Sequence, residues 1–466
     1  MNEDITMNKM GADPIPKVML SMGIPMILSM VLQACYNIVD SMFVARMPDT
    51  DGILHAGEYA VNALTLAFPI QMLIVAFGIG TGVGVNALLS KCLGQGNQEK
   101  VAKVTGNGIT LGLIIYVVFF VFGLFGIDVY LKSQSTDPTV LSMGKMYLTI
   151  CTLLCIGMVM FSIYEKLLQA TGKSLYSTIA QIAGAVINIV LDPILIYGLL
   201  GLPSMGVAGA AYATVIGQVA SLLIALFLHM KKNKEVKNGL VYMKLDKTIV
   251  GEIYSIGLPA IIMQALMSVM TYGINIIFGG VSMACVTAYG IFYKIQQFLF
   301  FAAFGLRDAI TPIVSFNYGM GSKKRVKSGM KYGLIYTTII MVVGIVVLQI
   351  FAGPLVAVFG LSDETANLCI LALRIISVGF VFAGGNIAFQ GVLQALGCGI
   401  SSLVISVLRL LIVVLPLAWI FAQMSNATFY IWFAFPIAEL VAVIAAILLM
   451  VRANKGIIRK MQEEKR

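Results

Sequence analysis

Twelve stretches of roughly twenty or more apolar residues succeed one another along this chain, and a chain patterned this way has one environment in which to fold. They cover residues 17–45, 57–88, 104–128, 142–166, 175–199, 207–230, 252–279, 284–313, 328–353, 366–393, 402–422 and 428–452. Lipid offers a backbone no hydrogen-bond partner, so each stretch must satisfy its own N–H and C=O groups as a helix. The expected fold is an all-α polytopic membrane protein with twelve transmembrane helices. Composition agrees: 59% of the 466 residues are hydrophobic, 11% are charged and mean hydropathy is +0.95. The seven cysteines show no CxxC spacing and lie mostly in apolar segments, which predicts free thiols and no metal site. With His55 and His229 alone, both at segment edges, the chain lacks the material for a histidine metal centre. No HExxH, GxSxG or P-loop pattern occurs, so neither an intramembrane hydrolase nor an ATP-driven pump is supported, and the chain is read as not an enzyme.

Charge fixes the orientation. Lys9 and Lys17, then Lys91, Lys100 and Lys103, then Lys166 and Lys173, the run Lys231 to Lys247, the group Lys323 to Lys331 and the tail Arg452 to Arg466 fall in alternate connections or tails. The other connections carry Asp49, Asp51, Glu58, Asp128, Asp137, Asp363 and Glu364. Loops rich in Lys and Arg stay cytoplasmic, so both termini are expected there. The polar, acidic start lacks the basic and apolar regions of a signal sequence, and no cleavage is expected. The net charge of +10 is then a consequence of topology, and no nucleic-acid partner is implied. Trp419 and Trp432 flank the expected outer end of the last hairpin, as an interfacial aromatic belt would require.

The two halves of the chain repeat. Ser21-Met-Gly23-Ile-Pro25 returns as Ser255-Ile-Gly257-Leu-Pro259. Three further pairs share one offset of 225 residues: Ile70-Gln71 with Ile295-Gln296, Ser90-x3-Gly94-x-Gly96 with Ser315-x3-Gly319-x-Gly321, and Leu168-Gln-Ala170-x-Gly172 with Leu393-Gln-Ala395-x-Gly397. Six spans per half is an even number, so both halves enter from the same side, related by a pseudo-twofold axis along the membrane normal. The expected division is a cytoplasmic tail 1–16, an N-lobe 17–230, a basic cytoplasmic linker 231–250, a C-lobe 251–452 and a cytoplasmic tail 453–466. A cleft between two such lobes is where an alternating-access carrier binds its cargo.

Polar residues inside apolar spans narrow the function further, because an Asp near a helix centre costs about 2.5–3.5 kcal/mol on insertion scales. Asn188 and Asp192 lie one turn apart on one face, and Pro193 supplies no N–H to the carbonyl of Ile189. Tyr36, Asn37 and Asp40 share a face of the first span. Counted from the outer ends, Asp40, Asp192 and Thr214 lie at a common depth of about 10 Å. Such a set at one depth suits a proton or small-cation site better than the alternative, a structural hydrogen-bond knot. The second lobe is expected to bury Lys294, Arg307, Asp308, Arg374, Arg409 and Glu439, as ion pairs or cavity-lining groups. Arg307 and Asp308, being adjacent, are expected to point apart, and Arg409 to snorkel. Gly78-x-Gly80-x-Gly82-x-Gly84 reads as close helix packing, and Met263, Met267 and Met270 suit either a cavity or ordinary packing.

The stretches Leu191-Asp-Pro-Ile-Leu-Ile-Tyr-Gly198, Gly206-Val-Ala-Gly-Ala-Ala-Tyr-Ala-Thr214, Asn37-Ile-Val-Asp40, the Gly-x-Pro openings and Pro312-x5-Tyr318-Gly319 resemble the multidrug and toxic compound extrusion family over essentially the whole chain. The resemblance implies a two-lobe antiporter that exports organic, often cationic, small molecules in exchange for H⁺ or Na⁺. It further implies a bacterial cytoplasmic membrane protein acting as a monomer, with membrane lipid as its surroundings and no cofactor beyond the coupling ion. By analogy Asp40, Asn188, Asp192 and Thr214, with Tyr36 beside them, form the cation-coupling set and the place for any Na⁺, as in bacterial branches that depend on first-lobe acids. Another branch carries a glutamate in the seventh span, where this chain has Gln264, Met267 and Met270. Asn37, Gln264, Met267, Lys294 and Asp308 are the candidate substrate-cavity residues. A flippase of lipid-linked saccharides from the same superfamily is the alternative, favoured by a strongly cationic cleft.

Overall fold

The structure, a computed structural model, describes residues 8–48 and 56–461, without the side chains of Asn37 and Ile38. Asp49, Asp51 and His55 lie outside the described residues. The main helices are α1 (Ile15–Ala45), α2 (Ala56–Gly94), α3 (Gln98–Phe125), α4 (Pro138–Leu153), α5 (Ile156–Ala170), α6 (Ser174–Tyr197), α7 (Gly206–Lys232), α8 (Lys247–Gly279), α9 (Met283–Gly319), α10 (Lys323–Ala357), α11 (Asp363–Ser377), α12 (Phe380–Ala395), α13 (Gly399–Val407), α14 (Val414–Ala422) and α15 (Ala434–Ala453). Among the described residues, ten helices or continuous helical runs are long and apolar enough to cross a bilayer, including Gly399–Ala422, which joins α13 to α14 through a π-turn. Two bent pairs, α4 with α5 at 43° and α11 with α12 at 53°, bring the count to twelve if each is one span. The protein is an all-helical membrane protein, as the apolar runs predict.

The helix ends are built from local chemistry. Asp137 accepts from the N–H groups of Thr139 and Val140, with Pro138 in the first turn of α4, and Ser282 Oγ accepts from Cys285 N–H to open α9. Gly198 stops α6 in the left-handed region at φ 74°. The 225-residue repeat is visible in the backbone itself. Positive-φ glycines pair as Gly96 (69°) with Gly321 (80°), and as Gly172 with Gly397, both 81°. The bends at Leu154-Cys155 and Val378-Gly379 fall at corresponding places in the two halves.

The chain forms two compact units, one from Val31–Leu89 with Gln98–Ile253, the other from the residues up to Met30, Ser90–Asn97 and the chain from Tyr254 onward. The first has a core of Ile70, Ile74, Tyr147, Leu148, Cys151 and Ile196. The second is centred on aromatic rings, with Phe278 edge-on to Trp432 at 5.1 Å and Tyr289 stacked on Phe435 at 5.6 Å. None of the seven cysteines is in a disulfide.

Several expectations are corrected here. Trp432 is a fully buried core residue that donates to Thr428 O at 2.8 Å, leaving Trp419 as the exposed tryptophan; the aromatic cluster offers Trp432 more contact than an interface would. Lys166 is not in a connection but buried inside α5, because the helix runs on to Ala170 and Gln169 Oε1 accepts from its ammonium at 2.9 Å. His229 does lie at a segment edge, in the last turn of α7, where it is buried against Tyr164 and bonded to Asn238. Lys294 and Arg374 are exposed, each on a helix face that its own unit leaves uncovered.

Candidate functional site

In the first unit, α1 and α6 run parallel and are clasped at two levels. Gln181 Nε2 donates to Gln33 Oε1 at 2.9 Å, and Tyr197 Oη donates to Phe43 O at 2.8 Å. Between these clasps the carboxyl groups of Asp40 and Asp192 lie within hydrogen-bond reach of each other. Asn188 Nδ2 donates to Asp192 Oδ1 at 3.4 Å. Three oxygens are left buried without a hydrogen-bond partner: Asp40 Oδ1, Asn188 Oδ1 and Asp192 Oδ2. Buried acceptors of this kind normally find donors, and an orphan costs about 1–3 kcal/mol. Three in one place make an acceptor cluster suited to a proton or a cation.

Glycines let α7 close the site from the other side. A Cβ at Gly217 would lie 2.9 Å from Asn188 Cβ, and one at Gly209 would lie 2.6 Å from the Leu195 carbonyl. This antiparallel register, 188 against 217 and 195 against 209, brings the buried Thr214 opposite the turn of Asp192. Tyr36 lies within electrostatic range of both acids. The structure therefore gathers Tyr36, Asp40, Asn188, Asp192 and the Thr214 turn, while the Asn37 side chain lies outside the described residues.

Sequence reasoning missed two neighbours. Tyr147 accepts from Gln71 Nε2 at 3.1 Å, and the pair stands beside Cys151, Tyr36 and Asp40. The signal was present in Gln71, a polar member of the repeated Ile-Gln pair inside an apolar span.

The second unit holds its own cavity, of about 70 Å³, lined among others by Gln264, Met267, Gln296, Arg307, Arg409 and Glu439. A water needs roughly 10–15 Å³ by this measure, so the cavity has room for a few waters. Met263 and Met270 also line it, which places the methionine series on a cavity wall. Lys294 is not in the lining. Asp308 reaches it through Arg307, whose Nη2 donates to Asp308 Oδ1 at 3.0 Å. The two neighbours pair with each other, contrary to expectation, because the long arginine stem folds back over Gly391, where a Cβ would lie 2.9 Å from Arg307 Cγ. Arg409 does not snorkel: it is buried and donates to Glu439 Oε1 at 2.6 Å. Asn386 adds a bond to Glu439 Oε2 at 2.7 Å.

The MatE family model matches the chain twice, at residues 25–194 and 259–420, once in each half of the repeat. The chain belongs to the MatE family. Multidrug export protein MepA of Staphylococcus saprophyticus subsp. saprophyticus is 25% identical over 434 residues, covering 93% of each chain. MepA of Staphylococcus aureus is 26% identical over 441 residues, 94% of each. A solved outward-facing multidrug resistance MATE transporter of the MOP superfamily superposes with a TM-score of 0.89 at 24% identity, over 99% of both chains. That likeness establishes the fold.

Proposed function

We propose that this MatE protein exports small organic compounds across a bacterial cytoplasmic membrane in exchange for H⁺ or Na⁺, with Asp40 and Asp192 as the coupling acids. Each chain carries both halves of the repeat and acts as a monomer, with its termini in the cytoplasm. The observation that carries the assignment is the cluster of three orphaned oxygens on Asp40, Asn188 and Asp192. Two bare carboxylates about 4 Å apart repel by about 4 kcal/mol at an effective dielectric of 20, so the pair holds a proton or a metal cation in at least one state of the cycle. Asp40 and Asp192 sit on different helices, so any movement of α1 along α6 changes the affinity for that ion. Exchange requires such a difference between states. The Thr214 hydroxyl and Asn188 amide oxygen supply the neutral ligands a Na⁺ would add to the two acids.

The multidrug name of the MepA relatives supports organic cargo here. The flippase alternative needs a cationic surface, whereas Arg307 and Arg409 are each offset by an acid, Asp308 and Glu439.

The test is export from everted vesicles under imposed pH or Na⁺ gradients. Asp40→Asn and Asp192→Asn should each abolish gradient-driven export while the purified protein still binds a fluorescent cationic substrate. Export by the double variant at the native rate, with unchanged pH and Na⁺ dependence, overturns the assignment.

A further inference from the structure

The basic connection between α7 and α8 is a strap pinned to the first unit. Asn107 of α3 holds it twice, donating through Nδ2 to Lys244 O at 3.2 Å and accepting from Asp246 N–H at 2.9 Å. Thr110 Oγ1 donates to Met243 O at 2.7 Å, and the Tyr242 carbonyl packs where Gly106 has no Cβ. At the other end Asn238 bonds His229, Asn233 reaches Leu167 O, and Glu235 pairs with Lys173 at 3.2 Å.

On this strap a 3₁₀ turn, Leu240–Met243, presents Leu240 and Val241, each 85% exposed. They lie outside every membrane-crossing helix. The depth of the turn follows from α3: Lys100 and Lys103 mark its aqueous end, and Thr110, which holds Met243, lies about 10 Å further along the helix at its 1.5 Å rise. Around the turn Lys231, Lys232, Lys234, Lys237, Lys244 and Lys247 are all exposed. The acids of the strap are engaged elsewhere, Glu235 with Lys173 and Asp246 in capping Thr248 and Ile249.

We propose that this turn is an interfacial membrane anchor: Leu240 and Val241 enter the headgroup–acyl boundary of the leaflet on the basic side, and the surrounding lysines bind anionic phospholipid headgroups. An exposed apolar pair at interfacial depth, ringed by cations, matches the chemistry of monotopic lipid-surface segments. The pins to α3 make the anchor act on the first unit, the one that also carries Asp40 and Asp192.

The experiment uses the full chain in a Cys35→Ser background with Val241→Cys carrying a nitroxide label, reconstituted in phosphatidylcholine vesicles with or without phosphatidylglycerol. Oxygen should relax the label more than a water-soluble nickel chelate does, and phosphatidylglycerol should deepen the preference. Lys237→Gln and Lys244→Gln should each reduce that anionic-lipid effect by about fivefold. Chelate access equal to that of a label on Lys234→Cys, with and without phosphatidylglycerol, overturns the anchor. Protection from both oxygen and chelate also overturns it, by showing a protein contact over the turn.

Discussion

A glycine faces the stem of a cation in each half of this chain, the buried Lys166 in one and the partly buried Arg307 in the other, and the repeat relates the two pairs with their partners exchanged. A Cβ at Gly82 would lie 2.8 Å from Lys166 Cγ, and one at Gly391 would lie 2.9 Å from Arg307 Cγ. Residues 82 and 307 correspond at an offset of 225, as do 166 and 391. One half thus places its cation on the later helix of the pair and the other on the earlier, and each clears space for the stem with a glycine. Gly82→Ala should lower stability by about 1–3 kcal/mol through overpacking. Lys166→Ala introduced with it should recover part of that loss, because the clash needs both the new methyl and the stem. Thermal unfolding in detergent checks this, and strictly additive losses would contradict the slot. At the coupling site, Asn188→Ala removes the orphaned amide oxygen offered to a Na⁺ and should weaken Na⁺ affinity by about tenfold, or about 1.4 kcal/mol. Ion titration of transport measures that shift, and export should persist at high ion concentration, unlike in the acid variants.

At the scale of elements, the ends of α2 and α9 cross within the second unit in a self-similar way. A Cβ on Gly94 would collide with the Phe316 carbonyl, and one on Gly319 with the Lys91 carbonyl; 94 and 319, like 91 and 316, are repeat partners. The two helix ends approach through glycine on both sides of one local twofold, and Lys91 covers the Tyr318 ring at 5.4 Å. Backbone carbonyls cannot swing aside as side chains do. Gly94→Ala and Gly319→Ala should therefore each part the helices by destabilising the crossing, and the double variant should cost less than the sum of the singles, because one separation relieves both clashes. A double-mutant cycle by thermal unfolding decides it. The repeat pattern Ser-x3-Gly-x-Gly was legible in the sequence, but its purpose was not, since spacing within one helix does not say which helix lies opposite. The bends at Leu154-Cys155 and Val378-Gly379 were hidden for a related reason: neither holds a proline, the usual local mark of a break.

Across the whole molecule, sequence reasoning found what hydropathy and repetition encode, namely the helical spans, the doubling of the chain and the acids that meet at Asp40 and Asp192. It misplaced Lys166, Lys294, Arg374 and Trp432, because burial of a single side chain depends on the partner face, which apolar periodicity does not identify. Orientation rests on the alternation of basic and acidic connections, and α10 offers its clearest test. That helix runs 35 residues from Lys323 to Ala357 and is long and apolar enough to place its two ends on opposite sides of a bilayer. Lys324 at one end and Asp363 just past the other are both exposed, so a cysteine at either disturbs no packing. The Lys324 end carries five cations, Lys323, Lys324, Arg325, Lys327 and Lys331, against Asp363 and Glu364 beyond the other. A bias of that size predicts that the basic end stays in the cytoplasm. In intact cells, with Cys35 replaced by Ser, a membrane-impermeant maleimide should therefore label Asp363→Cys and leave Lys324→Cys untouched until the membrane is opened. The reverse pattern would invert the whole topology. Labelling of both from one side would remove α10 from the set of spans, leaving the halves with unequal numbers and no axis along the membrane normal to relate them.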